Sequence, residues 1–295
     1  MLIKLECLYV KKVTIMSNKI ESLKLLFKLS KMEIKNNLLT LRMMVLFPIL
    51  MLFIGGSSWG FSDRNAQLPA DVSANTPFEV LFLSSVFVLF SATLGVVLIG
   101  FDGISRKKNS GLLAIEFCQP TSRTILGLSQ LFGVWLTVAL PTIIISLISI
   151  LLIYKQMDAF PSIGDLMLFI FATSLVLLWY ASIQLLVSSV AKDVGSAVTL
   201  GVGAWLLFTM IWLLITTVLA TILGVDATNM ENEQFASFSS KVDMFSPNGL
   251  YQLLLEAKLD NISRKLPIWQ LSIATFFWTF IPSYFFIWRF NKLHA

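Results

Sequence analysis

The chain has 295 residues, 56% hydrophobic and 13% charged, with 22 basic against 17 acidic side chains and a net charge of +5. Soluble domains carry roughly a quarter charged residues, so most of this surface is not built for water, and no polar block of ~100 residues remains for a separate soluble domain. Only two cysteines are present, Cys7 and Cys118; they sit far apart, on what the charge pattern below makes the cytoplasmic side, and do not form a disulfide framework.

Residues 1–42 form a polar N-terminal arm. Its first part mixes Lys4, Lys11 and Lys12 with short apolar pieces and lacks the apolar core and small-residue cleavage site of a signal peptide; Met16 is an alternative start. Further on, Lys24, Lys28, Lys31 and Lys35 recur at spacings of four, three and four, which at about 100° per residue places them in one stripe about 60° wide. Leu23, Leu26, Phe27 and Leu29 make the rest of this helix largely apolar. Such a division predicts an interfacial amphipathic helix with its lysines toward anionic headgroups; the competing reading is a solvated cytoplasmic helix.

Uncharged runs then predict an all-α membrane protein with six transmembrane helices, each long enough to cross ~30 Å of hydrocarbon. The approximate spans are 43–62, 80–101, 128–154, 166–190, 196–224 and 268–288, within one transmembrane domain over 43–288, followed by a short tail, 289–295. An even number of crossings puts both termini on one side. Sixteen of the 22 basic residues fall in the arm, the second-to-third and fourth-to-fifth connections and the tail, while the other connections hold 11 of the 17 acidic ones. Cytoplasmic loops retain Lys and Arg, so both termini are expected in the cytoplasm of a multi-pass cell-membrane protein.

The connection after the fifth span, Asp226 to Pro267, is the longest between spans. Within it Ser246 and Pro247 offer a cap followed by proline at a first helical position. Leu250, Leu253, Leu254 and Ala257 follow at helical spacing, predicting a short amphipathic helix resting on the outer face of the bundle.

The chemistry absent from the spans is as informative. Ion-coupled carriers and intramembrane enzymes place ionisable groups in the bilayer, and the span interiors here hold only hydroxyls and an amide, among them Ser84, Ser85, Ser91, Thr93, Thr173 and Gln184. Hydroxyls of this kind mostly satisfy backbone carbonyls or let helices approach. Gly56 and Gly60, spaced as GxxxG, and Gly201 and Gly203 are read as packing faces on the same ground. The single histidine, His294, is the penultimate residue, and Met43, Met44 and Met51 read as apolar filler rather than soft-metal ligands. No glycine is followed directly by lysine, so a phosphate-cradling GxxxxGK[ST] loop is absent. No metal and no cofactor is expected in this chain.

The second-to-third connection carries more structured-looking sequence than a tight turn needs. Phe101, Asp102, Gly103, Ile104 and Ser105 lead into the basic cluster Arg106 to Lys108. Gly111 then opens an apolar run, Leu112, Leu113, Ile115 and Phe117 with Glu116 among them, before Pro120 and Arg123. A short helix stopped by Pro120 is predicted, with an apolar face that could dock on a soluble partner or lie against lipid.

This loop resembles that of the ABC-2 type transporter permeases, and more narrowly the compact six-span branch that includes the nitrous oxide reductase maturation permease. Asp102, Ile104, Ser105, Gly111, Leu113, Gln119, Pro120, Ser122 and Arg123 match the pattern of that branch, in which an acidic residue closes the second span and a Gln-Pro-x-Ser-Arg-like turn precedes the third. The N-terminal helix, the short fourth-to-fifth turn and the long outer loop agree in layout. Two positions depart: Lys107 stands where the family commonly has glutamate, and Gln130 where it commonly has lysine.

The resemblance implies a permease subunit of an ATP-driven ABC transporter, in a family whose members mostly export. Its partners would be a second permease copy or homologue, an ATP-binding cassette subunit holding ATP and magnesium, and membrane lipid; no nucleic-acid partner is expected. The coupling helix would be Gly111 to Phe117, with Asp102, Leu112, Leu113, Ile115, Glu116, Phe117, Pro120 and Arg123 as the coupling-loop residues and Glu116 and Arg123 as polar contacts to the ATPase. The alternatives are a self-contained channel or secondary carrier, for which the spans lack polar rings and buried charge, and a membrane scaffold without transport.

Overall fold

The computed structural model describes residues 21–63, 74–119, 121–227, 232–259, 264 and 266–293. Cys7, Met16, Pro120 and His294 lie outside them. Among the described residues there is no strand, and six helices are long and apolar enough to cross a membrane. Helix α1 covers residues 21–38. The spans are α2 (Leu41–Ser62), α3 (Pro77–Gly100), α6 (Arg123–Met157), α7 (Ile163–Val190), α8 (Val194–Ile222) and α11 (Ile268–Asn291). Between α3 and α6 lie the short helices α4 (Ser105–Asn109) and α5 (Leu112–Phe117), and between α8 and α11 lie α9 (Glu233–Asp243) and α10 (Pro247–Glu256).

Polar caps start these helices. Thr76 and Glu79 form a capping box ahead of α3 with Pro77 at its first position, Ser162 and Asp165 do the same for α7, Asp193 and Ser196 for α8, and Ser122 caps α6. Each cap satisfies N–H groups that hydrocarbon could not; α6 runs 35 residues, more than the roughly 20 that a hydrocarbon core requires. Helices α3, α6 and α7 form the core, with Trp179 and Tyr180 wholly buried at its centre. Spans α2, α8 and α11 flank it, with only 22%, 11% and 11% of their apolar windows buried in the chain. Both the N-terminal helix and the end of α11 lie at the end of the bundle that carries the basic loops, since Lys107 pairs with Glu33 and Arg123 with the carbonyls closing α11.

The glycine expectation divides. A Cβ on Gly201 would lie 2.5 Å from the Gln184 amide oxygen, so that glycine marks a true helix contact, whereas Gly56, Gly60 and Gly203 have nothing within 4 Å of such an atom. Close approaches not anticipated include Gly249 against Asp243, at 2.5 Å, Gly133 against Glu33, at 2.6 Å, Gly95 against Leu46, at 2.7 Å, and Gly127 against Ile287, at 2.9 Å.

The connection after the fifth span departs from expectation in kind. Instead of resting on the outer face, α10 is buried among the spans, with Leu250, Tyr251, Leu253 and Leu255 at most 2% exposed. Its first turn lies level with Tyr180, ten residues before the end of α7, and Phe208, fourteen after the start of α8; at 1.5 Å per residue this is about 15–21 Å from the basic end, near mid-span. Helices α9 and α10 thus form a re-entrant hairpin. A polar seam permits this: Asn248 donates to the Phe208 carbonyl at 3.1 Å and accepts from the Tyr180 hydroxyl at 2.7 Å, Tyr251 meets Thr173 at 3.1 Å, and Gln252 donates to Ser85 at 3.3 Å. The Phe208 carbonyl belongs to a π-turn, Leu207–Ile211, that interrupts α8. Ser85 and Thr173 therefore hold the hairpin, while Ser91, Thr93, Thr142 and Thr217 bond carbonyls one turn back in their own helices.

Replacing Asn248 with alanine strands the Tyr180 hydroxyl and the Phe208 carbonyl, and is expected to lower stability by about 1–3 kcal/mol. Thermal unfolding in detergent measures it; an unchanged midpoint would show that the seam is not what seats the hairpin.

Arg264 lies between Asp243, at the turn of the hairpin, and Glu256, at the end of α10, bonded to the first and 3.4 Å from the second, and Trp212 donates to Asp243 at 3.1 Å. Burial pushes the Glu256 carboxyl above its ordinary range, outweighing the pull of Arg264. A carboxyl whose folded pKa is raised binds its proton more tightly in the fold, so its contribution to stability is complete below about pH 4 and is lost as pH rises through the folded value. The thermal midpoint of the wild type minus that of Glu256→Gln should therefore fall as pH is raised from 5 to 8, and a rising difference would contradict the burial argument.

Candidate functional site: the loop between the second and third spans

The loop begins where α3 ends. Asp102 is 5% exposed and accepts both guanidinium nitrogens of Arg42, at 2.9 and 2.8 Å, while Arg106 reaches the same carboxylate at 2.5 Å. Arg42 also donates to the Leu98 carbonyl and stacks over the Phe101 ring, 4.8 Å from its centroid. The bidentate geometry ties the first turn of α2 to the end of α3. One turn on, the Ser188 hydroxyl of α7 accepts the backbone N–H groups of Ile104 and Ser105, both at 3.1 Å, which anchors the start of α4.

A second cluster joins the loop to the N-terminal helix. Lys107 donates to Glu33 of α1 and to Glu116 of α5, each at 2.8 Å, and the Gln130 amide of α6 donates to the same Glu33 oxygen at 2.6 Å. Gly133, one turn further along α6, leaves room for the Cβ of Glu33. At about 100° per residue Glu33 lies about 180° from Lys24, opposite the lysine stripe, so Lys24, Lys28, Lys31 and Lys35 all face away from the bundle and are exposed.

Gly111 turns the chain between α4 and α5 with φ of 73°, a left-handed conformation in which a Cβ is strained. The short helix that follows has two faces. Leu113 is 1% exposed and roots it in the core; Phe117 meets Phe290 of α11 edge-on, with centroids 5.5 Å apart. Leu112 and Ile115 point the other way, 45% and 63% exposed. Arg123 covers the Phe117 ring at 4.4 Å and donates to the carbonyls of Asn291 and Leu293 at 3.0 and 3.1 Å, satisfying the end of α11. Glu116 and Arg123 are thus engaged within the chain. Asp102, Leu113, Phe117 and Arg123 form the rooted part of the loop; Gly111, Leu112 and Ile115 form its outward face.

Over residues 17–294 the chain matches the family model of the ABC-2 family transporter proteins. The chain belongs to that family. No curated protein matches it. Membership makes it the membrane subunit of an ABC transporter, a role generally distinct from that of the ATPase. In this ABC-2 protein the two departures in the loop meet on one carboxylate: Lys107 and Gln130 both donate to Glu33. Sequence reasoning passed over Glu33, Arg42 and Ser188. The usable signal was Glu33, the lone acid between Lys31 and Lys35, facing opposite the stripe.

Proposed function

We propose that this protein is the permease half of an ATP-driven exporter, paired with a second permease copy or homologue, each resting α5 on a separate ATP-binding subunit in the cytoplasm. One observation carries the reading: α5 turns Leu112 and Ile115 to the outside while its other face is tied to α4 through Glu116 and Lys107, to α6 through Arg123 over the Phe117 ring, and to α11 through Phe290. A push on such a helix is delivered to three elements directly and, through Lys107, to Glu33 of α1, which is what a coupling helix must do. Closure of the ATPase dimer moves the bundle only if the ATPase binds the two states of the permease with different affinity.

The basic loops at this end, by the retention of Lys and Arg, support a cytoplasmic location for both termini. The loop pattern favours the compact branch with the nitrous oxide reductase maturation permease. The thinly buried faces of α2, α8 and α11 leave room for a second copy and for lipid. The test is co-purification of the chain with an ATP-binding subunit encoded beside it, followed by ATP-dependent flux in liposomes. Flux of the same size from the chain alone would replace this reading with a self-contained carrier.

A further inference from the structure

A cavity of about 560 Å³ opens at the basic end between α1, the first turn of α2, the end of α3 and α6. It is within the roughly 300–1,000 Å³ of small-ligand clefts. Its charged lining comes from the two clusters already described: Arg42, Asp102 and Arg106 on one side, Glu33 and Lys107 on the other. The first cluster has two cations on one carboxylate and sums to +1. The second, counting Glu116 behind Lys107, has one cation between two carboxylates and sums to −1. The lining by itself sums to +1, and Glu116, which pairs with Lys107 from outside the lining, brings the two clusters together to zero, with the positive surplus around Asp102 and the negative one around Lys107.

An anion would meet the second cluster as a repulsion, and a cation the first. A zwitterion satisfies both. The cavity also sits where the apolar spans meet the basic end, which is headgroup depth, and its rim toward α2 is apolar: Leu41 is 79% exposed, with Met44 and Val45 exposed one turn along α2. We propose that this cavity binds the headgroup of an aminophospholipid, its phosphodiester on Arg42 and Arg106 and its primary ammonium on Glu33, with acyl chains along the exposed face of α2. Arg106, 63% exposed at its side chain, has donors free to turn to the phosphate. A primary ammonium donates hydrogen bonds to Glu33, whereas a choline group has no N–H, so the site distinguishes ethanolamine from choline headgroups. Such a lipid would bridge α1 to the loop. The inference does not rest on the transport reading.

Native mass spectrometry of the full chain in detergent, titrated with phosphatidylethanolamine, phosphatidylcholine or phosphatidylglycerol, tests it. The wild type should retain phosphatidylethanolamine about tenfold better than phosphatidylcholine, the worth of one charge-assisted hydrogen bond. Glu33→Gln should erase that discrimination, Arg106→Gln should weaken retention of both lipids, and Lys192→Gln, at the same end but outside the cavity, should change neither. Equal retention of the two lipids by the wild type, or a preference for phosphatidylglycerol, overturns the proposal. So does displacement by free phosphoethanolamine or inorganic phosphate at matching concentrations, which would make the site one for a soluble ligand. Should Glu33→Gln fail to fold, the wild-type lipid comparison and Arg106→Gln decide alone.

Discussion

Exchanging Arg42 and Arg106 together for methionine is expected to cost about 3–5 kcal/mol of stability, the usual loss when a buried charge is left without its partner. The carboxylate they leave behind, Asp102, is 5% exposed and cannot reach water without opening the end of α3. The reverse deletion is milder. In Asp102→Ala the two guanidinium groups, 32% and 63% exposed, can turn to solvent, so the loss should be about 2–3 kcal/mol, below the fully buried case. Adding Asp102→Leu to the methionine pair should recover most of the lost stability, because replacing a whole buried ion cluster with apolar side chains is near neutral. Thermal unfolding in detergent ranks the three variants. If the alanine variant is the least stable of them, desolvation of Asp102 is not the governing effect.

Serine at both Leu112 and Ile115 is expected to lower association with the ATP-binding subunit by at least about tenfold, since well-packed interface anchors are each worth about 2 kcal/mol. Both side chains are exposed in the chain, so its thermal stability should stay within about 0.5 kcal/mol of the wild type, as for other surface changes. Leu113→Ala should do the opposite. That side chain is 1% exposed, and truncation of a buried leucine costs about 2–5 kcal/mol, which would loosen α5 from the bundle and uncouple hydrolysis from transport. Pull-down and ATPase stimulation, each set beside a melting curve, separate the two classes. Full association of the serine pair would show that the outward face of α5 is not the docking surface.

The two variants expose where sequence reasoning stopped. In a run as short as Leu112 to Phe117, Leu112, Leu113, Ile115 and Phe117 fall at widely different angles around the helix axis at 100° per residue, so periodicity names an apolar helix without saying which side is in. The clamp around it was equally out of reach. Lys107 is 74 positions from Glu33, and Gln130 is 97 from it; no local pattern links charges that far apart. The re-entrant hairpin was hidden for another reason. Leu250, Leu253 and Leu254 at helical spacing describe a surface helix as well as an inserted one, and only the hydroxyls of Ser85, Thr173 and Tyr180 waiting opposite Gln252, Tyr251 and Asn248 make insertion possible.

The sequence by itself determined the solvent, the class and the number of spans. Stretches of some twenty uncharged residues have one stable state in hydrocarbon, a helix whose backbone bonds itself, and that conclusion needs no knowledge of neighbours. Loop motifs likewise carried the family, since they are read along the chain. Tertiary structure alone decided which side chains of the loop are rooted and which are presented, that Asp102 and Lys107 each gather two opposite charges, and that the chain folds back into the bundle after α8. Those outcomes depend on the pairing of groups far apart in the chain, where the free energy is decided by desolvation and contact rather than by local propensity.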